Sequence, residues 1–430
     1  MSAVPTPRAS TRRPLYGWLT AEALSLTGTR VSLIALPLFV LETTGSATRT
    51  GLVALAETLP LVLFKVLGGP VIDRVGARRV AIGCDLASTL VVASIPLLYD
   101  AGLLGFPLFL ALVAVAGALR GPGDAAKQAL VPALVASAAV PMERATGLAS
   151  TVERTASMLG AGAAGLLVAG IGAARALYVD ALSFALSALV LAWATRRMVA
   201  TGSTDAAAAR EPAGAARYLA RLREGWDFLR RDRVLLGIAG MVALTNLLDI
   251  AYATVLMPVW SVDSGSGARA LGLVFAVFSG ASALGAVTAA AWASRLPRYT
   301  TYLTAFLVCG APRFVVMALD APLAAILAVS VAGGFAAGFI NPVLGAVIFE
   351  RIPEPLVGRV SSLTSAMAYA LMPFGGLVGG LLIRADGLAF AMVVCGAAYL
   401  LVTMLPAVDP RWREMDRRPS PAAAPDPACL

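Results

Sequence analysis

The 430-residue chain contains no histidine, only four cysteines, and charged residues at just 14%. Without histidine, the side chain whose unperturbed titration falls near neutral pH is missing, so any proton chemistry must rest on carboxylates. Cys84, Cys309 and Cys395 stand singly inside apolar runs and Cys429 stands in the tail, which suggests neither a disulfide framework nor a metal site. No G-x-x-x-x-G-K-[ST] loop occurs, which excludes an ATP-driven pump within this chain. No Ser/His/Asp set occurs either, so neither an enzyme nor a bound cofactor is expected. The scarcity of charge decides the solvent. With 59% hydrophobic residues and a mean hydropathy of +0.81, the chain cannot cover itself for water, whereas a lipid-facing surface needs almost no charge.

What is present is a series of long apolar runs. A helix needs roughly 20 apolar residues to cross the hydrocarbon core. Runs of that kind lie near 16–41, 50–70, 79–99, 103–124, 146–170 and 174–194, and again near 234–258, 270–292, 300–319, 322–348, 359–383 and 386–406. The pattern predicts an all-α membrane protein of twelve transmembrane helices. It divides as a tail over 1–15, a six-helix bundle over 16–194, a linker over 195–233, a second bundle over 234–406, and a disordered tail over 407–430. The basic start of the chain runs into span 1 with no A-x-A-like cleavage site, so this span reads as uncleaved.

The net charge of +9 (34 Lys and Arg against 25 Asp and Glu) follows the loops, which argues for topology and against nucleic acid. Arg8, Arg12 and Arg13, then Arg74, Arg78 and Arg79, then Arg144, the stretch from Arg196 to Arg233, Arg295 and Arg298, Arg351 and Arg359, and Arg411 to Arg418 all fall on one side. The other side shows only Arg49, Arg175, Arg269 and Arg384. By the positive-inside rule both termini are expected in the cytoplasm of a bacterial plasma (inner) membrane. A bacterial source is suggested by the excess of arginine over lysine and the abundance of alanine, which is a codon-usage argument.

In the linker, Thr201 to Gly214 is rich in alanine, glycine and serine. The following ARYLARLREGWDFLRRDR puts Tyr218, Leu219, Leu222, Trp226 and Leu229 on one helical face, as expected of an amphipathic helix lying on the membrane surface. The two halves are also related. A shift of 215 positions lays RATGLASTVERTASMLGAGAAGLL (Arg144 to Leu167) over RVSSLTSAMAYALMPFGGLVGGLL (Arg359 to Leu382), the mark of a parallel repeat.

Between spans 2 and 3 stands GGPVIDRVGARR, in which Gly69, Asp73, Arg74, Gly76, Arg78 and Arg79 fit G-x-x-x-D-R-x-G-x-R-R. This resembles the cytoplasmic loop signature of the major facilitator superfamily. KQALVPALV, YVDALSFALSALVL, EGWDFLRRDRVL and VGRVSSLTSA extend the resemblance over most of the chain, toward the drug-efflux branch that includes macrolide and enterobactin exporters. The resemblance implies the major facilitator fold, two pseudo-symmetric six-helix bundles with a substrate cleft between them. It also implies gating by the motif loop, with Gly69 allowing close approach of span 2 to span 11 and Asp73 latching the outward-open state. Arg74, Arg78 and Arg79 are expected to pair with acidic residues or lipid phosphates. The matching stretch of the second half, GAVTAAAWASR from Gly285, has alanine at 289 where the acid would be, so the latch is one-sided.

Ionisable groups inside spans are expensive and mark candidate sites. Arg30 (span 1), Glu57 (span 2), Arg120 and Asp124 (span 4), Asp249 (span 7) and Arg313 (span 9) form the candidate set for proton coupling or a substrate cavity. Arg120 and Asp124, one turn apart, are placed to pair. Asp85, Asp124 and Asp180 lie nearer span ends and read as capping or interfacial. Trp18, Trp193, Trp260 and Trp292 fall where an interfacial belt is expected.

The functional expectation is a secondary-active exporter of small amphiphilic molecules such as an antibiotic, a drug or a secondary metabolite. It would use proton antiport and alternating access, and act as a monomer among membrane lipids. The alternatives are an importer or lipid transporter on the same fold, or a transporter-like sensor that does not transport.

Overall fold

The computed structural model describes residues 12–196, 215–292, 295–352 and 356–416. Arg8, the linker stretch 201–214, and the end of the tail with Arg417, Arg418 and Cys429 lie outside the described residues. Among the described residues every regular element is helical. The membrane-crossing helices are α1 (Arg13–Thr44), α2 (Ala47–Leu67), α3 (Ala77–Asp100), α4 (Phe106–Ala138), α5 (Arg144–Ile171) and α6 (Ala173–Ala194). They continue with α7 (Arg233–Asp263), α8 (Gly267–Trp292), α9 (Arg298–Ala318), α10 (Leu323–Ile348) and a last helical stretch, Leu363–Val408.

That last stretch has 46 residues. At about 1.5 Å per residue it is some 70 Å long, over twice the hydrocarbon thickness of about 30 Å. It leaves helical geometry at Asp386 (φ −156°, ψ 34°) and Gly387 (φ 79°, ψ 179°). It is therefore two crossings, α11 (363–385) and α12 (388–408), which makes twelve among the described residues.

The chain gathers into two compact units. The first comprises Met1–Glu211, Ile250–Ala276 and Pro373–Arg384, and the second Pro212–Asp249, Val277–Met372 and Ala385–Leu430. In the first, α1 is the central helix, packed on α5 and α6, while α2 lies along α4, and α3 lies along α4 and α6. Small residues bring Ile250–Ala276 and Pro373–Arg384 against this set. A Cβ on Gly51 would stand 2.3 Å from the Gly376 carbonyl oxygen, one on Gly380 would stand 2.6 Å from that of Ala47, and one on Gly272 2.7 Å from that of Ala161. Backbones this close gain dispersion contacts that larger residues would block.

In the second unit, the helix Ala215–Arg231 ends in an apolar cluster of Leu229, Leu235, Ile352 and Val360, joined by Phe228 and Met367. Leu229 is fully buried, so this end of the amphipathic helix is held by protein, while Trp226 stays 42% exposed. Asp232 caps the start of α7, its Oδ1 accepting from the backbone N–H groups of Val234 (3.0 Å) and Leu235 (3.1 Å). Arg351 reaches the same carboxylate (Nε to Oδ2, 2.8 Å) and Glu414 (3.5 Å). Burial pulls the Arg351 guanidinium down, but the two carboxylates outweigh it and hold it above its ordinary value.

Two expectations are corrected here. The start of the tail is ordered: Pro410–Asp416 forms a 3-10 helix with Trp412 and Met415 buried. It is seated because the Trp412 ring lies over Gly237 and 5.7 Å from the Tyr302 ring. Of the four tryptophans assigned to an interfacial belt, Trp193 and Trp292 are exposed as expected, whereas Trp18 and Trp260 are buried at 4%. Trp18 donates its indole N–H to the Lys127 carbonyl (3.1 Å), so it is a packing residue between α1 and α4.

Candidate functional site

The motif residues form a compact turn. Gly69–Val75 is a short helix, and Gly76 (φ 95°, ψ 133°) reverses the chain into α3 with a backbone that only glycine adopts cheaply. Arg78 donates to Thr195 Oγ1 (2.7 Å) and to the Ala192 carbonyl (3.0 Å), so its charge sits on the carbonyl end of α6. A helix C-terminus exposes unpaired carbonyls and the negative end of the dipole. This corrects the expected pairing of Arg78 with acids or lipid. Gly69 is also corrected, because a Cβ there would meet nothing within 4 Å. At Gly68 a Cβ would stand 3.0 Å from Pro122, so the close contact beside the motif is with α4. Asp73, Arg74 and Arg79 are exposed.

Within the first unit, α2 and α4 touch backbone to backbone. A Cβ on Gly117 would lie 2.1 Å from the Glu57 carbonyl oxygen, and one on Gly121 2.4 Å from that of Leu61. This approach sets Arg120 beside Glu57 (Nη1 to Oε1, 3.4 Å), with Asp124 on its other side (3.9 Å). One guanidinium is thus shared by two carboxylates, all three partly buried. Arg30 of α1 is held apart from them, donating to Ser157 Oγ of α5 at 2.8 Å.

Two of the three acids read as capping or interfacial, Asp85 and Asp180, prove to be interior. Asp85 (α3) is 4% exposed and pairs with Lys127 of α4 at 3.0 Å, while also accepting from Ser187 Oγ of α6 at 2.7 Å. Asp180 of α6 is 2% exposed and accepts from Ser32 of α1, with Ser183 Oγ at 3.4 Å. Distance from a span end misled because α3, α4 and α6 cover one another there. The signal that was available lies in the residue types: Lys127 stands inside an apolar run, and a lysine there needs a carboxylate from a neighbouring helix. A cavity of about 30 Å³ lies among these helices, lined by Ser32, Glu57, Ser88, Arg120 and Asp180 with apolar walls that include Phe184.

The second unit holds one more pair. Arg313 of α9 donates to Asp249 of α7, and its guanidinium lies 5.0 Å from the Phe314 ring and 5.1 Å from the Tyr399 ring. Both partners sit at helix irregularities. Asp249 precedes a π-helical turn, Tyr252–Leu256, and Arg313 follows a break at Gly310 (φ −84°, ψ −98°). Such turns recur at functional sites because they re-aim side chains and free carbonyls. The sequence-predicted residues therefore fall into two clusters, Glu57–Arg120–Asp124 and Asp249–Arg313, with Arg30 and the motif loop apart.

Twelve apolar crossings carrying ion pairs define a polytopic membrane protein. The chain belongs to the major facilitator superfamily, whose family model matches residues 18–265 and 239–427. It is 31% identical over 417 residues to the multidrug efflux pump Tap of Mycobacterium tuberculosis, covering 96% of this chain and 97% of that protein. To Tap of Mycolicibacterium fortuitum it is 30% identical over 414 residues, covering 95% and 99%. Among solved structures, the nucleoside transporter NupG superposes with a TM-score of 0.72 at 13% identity, over 91% of this chain and 97% of that one. A bacterial homologue of the iron transporter ferroportin in an inward-facing state gives 0.70 at 16% identity, over 92% and 98%. These likenesses concern the fold.

Proposed function

We propose that this transporter is a proton-driven exporter of small amphiphilic molecules, including drugs or antibiotics, working by alternating access in a bacterial inner membrane. It acts as a monomer with both termini cytoplasmic, and its two halves, 16–194 and 234–406, are joined by the linker 195–233. The observation that carries the reading is the sharing of Arg120 between Glu57 and Asp124 inside the membrane of a chain without histidine. Protonation of Glu57 removes one of the two anions facing Arg120, and the guanidinium then turns to Asp124, so a proton is converted into a side-chain movement. Asp249 and Arg313 offer the same chemistry in the second unit. Export of amphiphiles is supported by the efflux pumps that the chain resembles.

Everted vesicles given a fluorescent amphiphilic drug in the bath provide the test. Drug accumulation is expected to need a proton gradient and to collapse with an uncoupler, and Glu57→Gln with Asp249→Asn is expected to abolish it at normal expression. Uncoupler-resistant accumulation, or full activity in the double variant, would sink the reading. Asp73 is assigned the role of latch for the outward-open state. Asp73→Asn is expected to lower transport at least tenfold with unchanged protein level, and wild-type rates in that variant would remove the latch from the mechanism.

A further inference from the structure

We propose that Asp180 is a second proton-binding site of this transporter, exchanging its proton with Glu57 across the small cavity of the first unit. The proposal rests on the proton-coupled reading above. The interior carboxylates Glu57, Asp85 and Asp249 each have a cation against them. Among the described residues no cation stands within ion-pair distance of Asp180, whose partners are the hydroxyls of Ser32 and Ser183. An isolated ionised carboxylate is costly to bury. At Asp180 the compensating positive charge is a proton instead of a side chain.

The space around Asp180 is built for exchange. Gly28 of α1 lies over it, where a Cβ would stand 1.8 Å from Ser183 Oγ and 2.6 Å from Asp180 Oδ1. Any side chain there would displace the carboxylate and its hydroxyl together. On its open side the carboxylate lines the cavity that Glu57 and Arg120 also line. About 30 Å³ with five polar lining residues accommodates one water and little else.

The transfer balances with that water. The O–H bond of protonated Asp180 breaks as its proton joins the water oxygen, and a proton leaves the water for Glu57. Asp180 is left ionised with Ser32 donating to it, Glu57 is neutral, and Arg120 is released toward Asp124. The charged groups around Asp180 are Glu57 on α2 and Arg120 on α4. Asp85 on α3 is occupied by Lys127, Arg30 on α1 is turned to Ser157, and Glu153 is the acid of α5 on that side. Of the two acids of α1, Glu22 lies toward Lys127 and Glu42 stands in the last turn of the helix.

Asp180→Asn keeps an oxygen that accepts from Ser32 but carries no proton, so it separates this role from a static bond between α1 and α6. Proton-driven drug accumulation in everted vesicles is expected to fall at least tenfold, while drug–drug counterflow, which moves no net proton, stays within twofold of wild type. Wild-type proton-driven transport in Asp180→Asn would overturn the proposal, and so would equal loss of both activities in a variant that is folded by size-exclusion chromatography. Should that variant not fold, infrared difference spectra of the wild type and Asp180→Glu across a pH titration decide the matter. A protonated-carboxyl band that shifts in Asp180→Glu supports the site, and its absence at every pH refutes it. If the wild type itself shows no proton dependence, it is the functional reading that fails; if the wild type is coupled and Asp180→Asn equally so, only this inference does.

Discussion

Lys127 holds its ammonium 3.0 Å from Asp85 with 1% of its side chain exposed, in a region where water cannot solvate either charge. Removing one partner of such a pair strands the other and typically costs about 3–5 kcal/mol, whereas replacing both by apolar residues is often neutral. Lys127→Met alone is therefore expected to abolish folded protein in detergent, and Asp85→Leu with Lys127→Met to restore it, as measured by fluorescence-detected size exclusion. Gly76 poses a backbone problem instead. At φ 95° a side chain costs about 1–3 kcal/mol, so Gly76→Ala is expected to lower the melting temperature in detergent by several degrees without altering any polar contact.

At the scale of helices, the decisive contact is α2 on α4. Gly117 permits the approach that sets Glu57 beside Arg120, so Gly117→Val is expected to reduce proton-driven transport more than tenfold while most of the protein still reaches the membrane. Transport within twofold of wild type would show that the pair does not depend on this approach. The twelve crossings were legible in the sequence because a 20-residue apolar run has few other uses, and Arg120–Asp124 because one helical turn brings them together. The partners of these groups were not legible. Glu57 and Arg120 are 63 positions apart, Asp249 and Arg313 64, and nothing local in a sequence encodes which helices touch. The same limit hid Asp180 and Asp85, whose burial comes from neighbouring helices and not from their place along their own. It also misassigned Gly69, beside which Gly68 packs on α4, and Arg78, whose partner is a helix end that composition cannot mark.

For the molecule as a whole, transport by alternating access requires that some helix contacts be temporary. Those of Gly376 and Gly380 with α2 are suited to this, being backbone contacts between small residues with one long hydrogen bond, Thr48 Oγ1 to the Gly380 carbonyl at 3.4 Å. Gly380→Val, whose Cβ would stand 2.6 Å from the Ala47 carbonyl oxygen, is expected to hold this contact open and to lower transport at least tenfold in everted vesicles at normal expression. Transport within twofold of wild type would mean that closing this contact is no part of the cycle.

The π-helical turn at Tyr252–Leu256 has a consequence for how α7 tolerates changes in length. A wide turn of this kind takes up one surplus residue locally, so the helix on either side keeps its facing. Deleting one residue elsewhere in α7 would rotate everything beyond it by about 100° and turn buried faces toward lipid. Deleting one residue inside the turn instead is expected to yield an ordinary helix whose two ends still face as before. The protein should then fold and insert, with Asp249 still presented to Arg313. The stretch 252–256 is thus a place where the chain can lose one residue, with no change of side-chain chemistry, and leave the second ion pair in place.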